Sequence, residues 1–584
     1  MKIKNTIISI LIILLVSSFT VYTQTVKLKF IETTDVHGSI FPYDFKNDKK
    51  AQTSLSQVYT YVQQERAKKD QQVILLDAGD ILQGQPPVYY YNFENTKEKH
   101  LVAQVMNYMN YDVGTVGNHD IEPGHDVYDR INKEFNFPWL AANAIKETTD
   151  KTYFPPYKIL VRDGVKIAVL GIITPGIPMW LPKNIWSNID FEDMILTAKK
   201  WVKIINEKEK PDILIGLFHS GVDATYGNQS ADMPRNENAS ELVAKQVPGF
   251  DVVFVGHDHH GWNYTVKNTD GKNVLILGGI NAARTAAVAN VTINLSDKNK
   301  KVVTGEIIEI KDFIPDEQFL SHFKKSFDEI KKYTTQDICY FTKTISTKDS
   351  FFGNSPFVDL VQNIQLKITG SDVSFASPLS FNAEINKGPV YVRDMFNLYK
   401  YENLLYTFKM SGKEIKDYLE FSYSRWFNKM KNEDDHLLRF KIDEKNNIIY
   451  YKGHPALYNT YYNFSSAAGI NYAVDVTKPT GEMVSISSFS DGRAFDLNGE
   501  YKVAINSYRG NGGGGHLVYG AKIPKDDLIK RILSSTDKDL RFYIMQWLKK
   551  EKTITPEKNN NWKIIPENWA KKGKEKDYKL LFGN

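Results

Sequence analysis

Cysteine is almost missing: Cys339 is the single one among 584 residues. That excludes an internal disulfide framework and any cysteine-rich structural metal site, so folding must rest on an apolar core. Long hydrophobic runs are missing too. The densest, Ile7 to Val16, is shorter than the roughly 18 residues of a membrane span. It follows Lys2 and Lys4 and has the form of a secretory signal peptide, with removal expected near Thr20 to Gln24. No cysteine follows it, so a lipid-modified N-terminal cysteine is excluded. An excess of one charge is also lacking. A net charge of +5 on this length gives no reason to expect binding of a nucleic-acid polymer through a basic face. The sequence alone thus predicts an exported protein, periplasmic or secreted, with no stable membrane span, and a monomer is expected.

What is present is ordinary globular composition, with 42% hydrophobic and 24% charged residues. The length is too great for one core, so two domains are expected. Residues 24–312 alternate apolar runs with amphipathic stretches such as those from Ser54, His100 and Met194, which predicts a layered α/β domain. A charged segment, residues 313–335, lacks a continuous wide apolar face and is read as a linker helix. Residues 336–545 form a second, α+β domain. Its first helix should start at Pro356 with Ser355 as cap. Residues 546–584, rich in lysine and carrying Trp547, Trp562 and Trp569, are expected to pack as a tail. With residues 1–23 as the signal peptide, this completes the division.

Apolar runs of the first half end in metal-binding side chains. FIETTDVHG carries Asp35 and His37, VILLDAGD carries Asp80, and VGTVGNHD carries Asn118 and His119. ILIGLFHS carries His219, VVFVGHDHH carries His257 and His259, and FPWLAAN ends at Asn143, which is expected at the pocket wall. Each fragment alone is weak, because a lone histidine at a strand end is usually a surface residue. Their succession at the ends of apolar runs is the signal, since open α/β sheets build sites at the carboxyl ends of their strands. Carboxylate, amide oxygen and imidazole together suit zinc, manganese, cobalt or iron better than calcium or magnesium.

This order of motifs resembles the calcineurin-like metallophosphoesterases, and the form DVHG, LLDAGD, VGNHD, LFHSG, VGHDHH is similar to their bacterial 5′-nucleotidase and 2′,3′-cyclic-nucleotide phosphodiesterase branch. The resemblance implies a calcineurin-like first domain and a 5′-nucleotidase-type second domain. It also implies two divalent metal ions: one held by Asp35, His37 and His259, the other by Asn118, His219 and His257, with Asp80 bridging. A pair of cations clamps the attacking and leaving oxygens at phosphorus and activates water. His119 would stabilise the transition state or protonate the leaving oxygen. The carboxylate that orients it falls on Glu122, where better-known members have Asp. His260 has no role in the pattern and reads as a rim residue.

In the second domain the resemblance implies a base sandwiched between Tyr401 and Tyr508, with Asn382 lining the nucleoside pocket. The loop Asn511 to Gly515 would let backbone approach the ligand; it is no phosphate-binding loop, since no Gly-Lys-Ser/Thr follows. Rotation of the domains about residues 315–333 is expected to bring substrate to the metals. The branch's 5′-nucleotidases tend to place arginine near SPLSFNAEI, and none occurs between Ser371 and Val392. The reading is therefore a 2′,3′-cyclic-nucleotide 2′-phosphodiesterase with 3′-nucleotidase activity. The alternatives are a 5′-nucleotidase or UDP-sugar hydrolase, and a non-catalytic surface ligand-binding protein on the same scaffold.

Overall fold

The computed structural model describes residues 25–226, 229–451 and 453–583; the signal peptide expected at 1–23 lies outside them. The first domain is built on strands β1 (Thr25–Thr33), β2 (Gln72–Asp77), β3 (Val113–Thr115), β4 (Trp139–Leu140), β5 (Tyr157–Arg162), β6 (Val165–Ile173), β7 (Ile213–His219), β8 (Val252–Val255), β9 (Trp262–Lys267), β10 (Asn273–Gly278), β11 (Thr285–Asn294) and β12 (Asp297–Glu309). They form two six-stranded sheets, ordered β12-β11-β1-β2-β3-β4 and β9-β10-β8-β7-β6-β5. The central strands of both are parallel, with Thr33 opposite Asp77 and Phe218 opposite Val255. Parallel strands are covered on both faces, which is why β7 is buried at every position.

Alternation assigns each strand's two faces. Phe30, Leu76, Ile215 and Phe254 meet between the sheets. Ile31 points the other way, into a layer with Val58 and Met106 from helices Leu55–Arg66 and Leu101–Met109. Leu214 and Phe218 do the same against helices Met194–Lys208 and Ser240–Gln246. The result is helix, sheet, sheet, helix. The parallel strands of both sheets end on one rim, and the candidate residues follow those ends.

The second domain has a five-stranded sheet of β13 (Val373–Ala376), β14 (Leu405–Ser411), β15 (Ser466–Ala468), β16 (Glu500–Asn506) and β17 (Ile532–Ser535), in the order β15-β13-β16-β14-β17. Helix Pro356–Thr369 starts as the sequence predicts, with the Phe357 N–H donating to Ser355 Oγ at 3.3 Å. Helix Gly412–Trp426 starts on a reciprocal Ser411–Glu414 cap.

Two boundary expectations differ from what the chain does. The linker segment is two helices, Glu317–His322 and Lys324–Thr334, which bury Phe319, Phe323 and Ile330 in the first domain's core. Their apolar stripe is narrow and interrupted by lysines, which hid it. The tail is part of the second domain. Helix Leu540–Glu551 crosses the expected boundary at 545, and strand Trp562–Ile565 pairs with Ile470–Asp475. Trp562 is buried and stacks on Tyr472 at 5.8 Å.

The domains are joined by an inserted ring. Tyr89, on the first-domain turn Pro86–Tyr89, is 2% exposed inside a cluster otherwise built largely by the second domain. Its ring meets Phe396 edge-on at 5.4 Å, and its hydroxyl donates to Asp539 Oδ2 at 3.1 Å. Arg541 lies over the same ring at 4.8 Å. Rotation of one domain against the other would first have to withdraw Tyr89. No helix among the described residues is long and apolar enough to cross a membrane.

Tyr89→Phe deletes only the hydroxyl bond and should cost about 0.5–1.5 kcal/mol in urea unfolding. Tyr89→Ala empties the socket and should cost about 3–5 kcal/mol. Equal losses would contradict a role for ring burial at this interface.

Candidate metal centre and nucleoside pocket

Three backbone loops from the first sheet and two from the second converge on the rim. Asp35 and His37 follow β1, Asp80 follows β2, and Asn118 and His119 follow β3; His219 ends β7, and His257 and His259 follow β8. The loops pack backbone to backbone, and glycine makes this possible. A Cβ on Gly117 would lie 2.2 Å from Asp80 Oδ1, and one on Gly256 would lie 2.1 Å from Thr34 Oγ1. Five of the candidate residues adopt left-handed backbone: Asp35 (φ 49°), His37 (48°), Asp80 (60°), His257 (80°) and His259 (60°). Such conformations cost about 1–2 kcal/mol each for non-glycine residues and gather at functional sites. Cross-ties offset the cost: Asp35 N–H to Gly79 O at 2.9 Å, His37 N–H to Asp80 O at 3.0 Å, and Ala282 N–H to Asp35 O at 2.8 Å.

The side chains form two donor groups that share one residue. Asp35, His37, Asp80 and His259 form one, and Asp80, His219 and His257 the other; within each, the ligand atoms lie within 4.8 Å of one another. Asp80 Oδ2 is 3.2 Å from His219 Nε2 and 4.0 Å from His37 Nε2, so it faces both. Asn118 Oδ1 completes the second group, 3.0 Å from His219 Nε2 and 2.8 Å from His257 Nδ1. In the first, His37 Nε2 and His259 Nε2 face each other at 3.1 Å, and His259 Nε2 is 3.2 Å from Asp35 Oδ1.

Backbone carbonyls set the tautomers of two rings. His37 Nδ1 donates to Gln83 O at 2.9 Å and His219 Nδ1 donates to Ala78 O at 2.7 Å. Carbonyls only accept, so in their neutral forms both rings turn an Nε2 lone pair into the site, as metal-binding histidines do. Asp35 Oδ2 accepts from Thr34 Oγ1 at 2.6 Å and from the His257 N–H at 3.0 Å, while buried Oδ1 has no hydrogen-bond partner. A buried carboxylate oxygen left open among imidazole nitrogens fits a cation. The mixed oxygen and nitrogen donors fit a divalent transition metal.

The charges perturb one another strongly. Burial pushes His37 and His257 down to about 3. Burial opposes charge on His219 as well, yet the Asp80 carboxylate pulls that ring up to about 10. Desolvation works against ionised Asp35, but the His259 ring, its Nε2 3.2 Å from Oδ1, holds it well below the usual carboxylate range. Beside the centre, His119 Nδ1 is 2.5 Å from Glu122 Oε2. Burial disfavours the His119 imidazolium, and the Asp80 and Glu122 carboxylates outweigh it, raising the ring to about 9.

Asn143, expected at the pocket wall, is spent on the fold. Asn143 is wholly buried and bridges strand ends, its Nδ2 donating to Ile173 O at 2.7 Å and to Glu192 O at 3.1 Å. It supports the fold behind the pocket wall. His260 is exposed, and its ring stacks on Trp262. Asn382 is exposed on the loop before strand Glu384–Ile385. Among the described residues, no hydrogen bond ties Asn382 to Tyr401 or Tyr508.

Tyr401 and Tyr508 do share one neighbourhood. Burial raises both phenols, Tyr508 acts on Tyr401, and Tyr462 acts on both. Glu122 also acts electrostatically on Tyr401. The glycine loop also encloses a buried arginine. Arg509, 3% exposed, fills it, donating to Asn463 Oδ1 at 2.9 Å, Gly513 O at 3.1 Å and Tyr462 O at 2.7 Å. A Cβ on Gly514 would lie 1.9 Å from Arg509 Nη1, and one on Gly513 would lie 2.6 Å from the Tyr508 ring. The loop therefore props Tyr508 from behind.

Three contributors escaped the sequence reading. Asp120 accepts from the N–H groups of Asp80, Ile81, Leu82 and Gly117 at 2.7–3.0 Å, tying the β2 loop to the β3 loop. It is the last letter of GNHD, so its position was visible and its purpose was not. Trp180 lies 5.6 Å from the His257 ring and accepts through its carbonyl from Asn511 Nδ2 at 3.4 Å. Nothing local in the sequence marks it. Glu402, beside Tyr401, is the third.

Comparison with known proteins agrees with this architecture. A family model described as calcineurin-like phosphoesterase matches residues 28–261, and one described as 5′-nucleotidase, C-terminal domain, matches residues 332–520. A Haemophilus influenzae protein named 2′,3′-cyclic-nucleotide 2′-phosphodiesterase/3′-nucleotidase is 27% identical over 612 residues, covering 93% of this chain and 88% of that protein. A Salmonella typhimurium protein of the same name is also 27% identical, covering 94% and 90%. A Staphylococcus aureus structure described as a 5′-nucleotidase superposes with a TM-score of 0.74 at 20% identity, over 92% of this chain and 99% of that one. At that identity the likeness shows the fold.

In chelator-treated protein, an NMR titration of His119 should give a midpoint near 9, and Glu122→Gln should lower it. A raised folded-state value means that the stability from His119 is complete below its ordinary value of 6.5 and is lost as pH rises through about 9. A midpoint at or below the ordinary value in the parent protein would refute the carboxylate pairing.

Proposed function

This chain belongs to the calcineurin-like phosphoesterases that carry a 5′-nucleotidase C-terminal domain and is a metal-dependent hydrolase of phosphoric esters, and we propose that it opens nucleoside 2′,3′-cyclic phosphates and then removes the remaining 3′-phosphate. The observation that carries the chemistry is Asp80 Oδ2 facing both donor groups beside the His119–Glu122 pair. The choice of substrate is supported by likeness over nearly the full chain to the named phosphodiesterase/3′-nucleotidases. The lack of arginine between Ser371 and Val392 supports it as well.

In this reading Asp35, His37 and His259 hold one divalent cation, Asn118, His219 and His257 hold the other, and Asp80 belongs to both. When bound, the cations neutralise charge at phosphorus and bring the ionisation of water near neutral pH. His119, held by Glu122 through Nδ1, presents Nε2 to the reacting group. Protonated, it gives that proton to the ribose oxygen as the P–O bond breaks, or stabilises charge on a phosphoryl oxygen. Water adds to phosphorus, the 2′-oxygen leaves, and the product is a 3′-phosphate; a second hydrolysis releases nucleoside and inorganic phosphate. Tyr401 and Tyr508 stack the base, which tolerates different bases because every base has a flat face. Export to the periplasm or beyond is supported by Lys2 and Lys4 ahead of the apolar run at Ile7 to Val16.

Steady-state assays on 2′,3′-cyclic AMP, 3′-AMP and 5′-AMP with manganese, zinc or cobalt should show kcat/KM for the first two at least tenfold above the third. A preference for 5′-AMP would move the protein to the 5′-nucleotidase alternative. No turnover of any, nor of a chromogenic phosphodiester, would leave only ligand binding. His119→Ala should lower kcat by about 10²–10⁴-fold while the bound metal content stays unchanged.

A further inference from the structure

Glu402 stands between the two halves of the proposed site. It follows Tyr401 directly, is 7% exposed, and feels the charges of both Glu122 and His119 across the domain boundary. One oxygen, Oε1, lies 3.5 Å from Arg541 Nη1. The other, Oε2, is buried without a hydrogen-bond partner. Arg541 fixes the whole segment, since its Nε donates to Tyr399 O at 3.0 Å and its Nη2 to Lys400 O at 2.6 Å. The carboxyl group therefore sits on a fixed segment in an ion pair with Arg541, and its Oε2 receives no donor.

A buried, unpaired carboxylate oxygen is costly, and a donor from a ligand would offset the cost. In a nucleotide the sugar lies between base and phosphate. Here the base-stacking ring is Tyr401 and the phosphoryl end is at His119. Glu402 adjoins the first in sequence and is within electrostatic reach of the second. Resting on the function proposed above, we infer that Glu402 is a specificity-determining residue whose Oε2 accepts a hydrogen bond from the ribose 2′-hydroxyl of a 3′-nucleotide or product nucleoside. The contact would favour ribonucleosides over 2′-deoxyribonucleosides. It would also grip the hydroxyl that ring opening sets free.

Calorimetry with adenosine and 2′-deoxyadenosine on chelator-treated protein tests this without any turnover. The parent protein should bind adenosine about tenfold more tightly, the scale of one net hydrogen bond. Glu402→Gln can keep its amide oxygen toward Arg541 and put an N–H group where Oε2 stands, and should reduce the difference to threefold or less. Equal binding of the two nucleosides by the parent protein overturns the inference and needs no variant. So does a Glu402→Gln protein that keeps the full difference. Should the parent bind neither nucleoside while hydrolysing bis(p-nitrophenyl) phosphate, the nucleotide reading itself fails and carries this inference with it.

Discussion

Two buried carboxylates, Asp35 and Asp80, face four imidazoles on one rim, and the surrounding backbone is shaped to hold that concentration of charge. Neither carboxylate could remain ionised in so dry a place without compensation. The compensation present in the chain is imidazole nitrogen and backbone N–H. His257 N–H serves Asp35, His119 N–H serves Asp80 Oδ1 at 2.8 Å, and Asp120 gathers four N–H groups to fix the loop that carries Asp80. The left-handed conformations of five ligand candidates and the glycines at 117 and 256 follow from the same demand. Loops must approach closely enough for one carboxylate oxygen to face two donor groups.

The second domain answers to this centre through a short chain of contacts. Tyr89 leaves the first domain and sits against Phe396, Asp539 and Arg541. Arg541 in turn holds the Tyr399–Glu402 segment, which carries the ring proposed to stack the base and the Glu402 carboxyl group. The interface that joins the domains thus also positions the groups proposed to grip the nucleoside. In this arrangement Tyr89 ties the segment that carries Tyr401 and Glu402 to the domain that carries His119.

Much of the site was legible because it is assembled from local pieces. Each ligand candidate ends a short apolar run, and parallel strands place their ends on a common rim, so order along the chain reports proximity in space. Where that inference failed, the cause is specific. Asn143 also ends an apolar run, but its amide is consumed by the backbone of Ile173 and Glu192. The glycine loop was read as ligand-facing, yet its glycines make room for Arg509, whose partners are 46 and 47 residues away in sequence. Glu402 and Trp180 gain their meaning only from the other domain, and no local pattern encodes that. The helices at 317–334 and the tail were underestimated because their apolar stripes are thin and lysine-rich, so burial there depends on a surface that the segment does not itself contain.

The central claim is that Asp80 is shared by two cations. Manganese-loaded protein, freed of excess metal, should contain two ions per chain by elemental analysis. Its low-temperature electron paramagnetic resonance spectrum should show a spin-coupled pair, and Asp80→Asn should abolish the coupling. A single ion per chain, or two ions with independent spectra in the unaltered protein, would contradict the account.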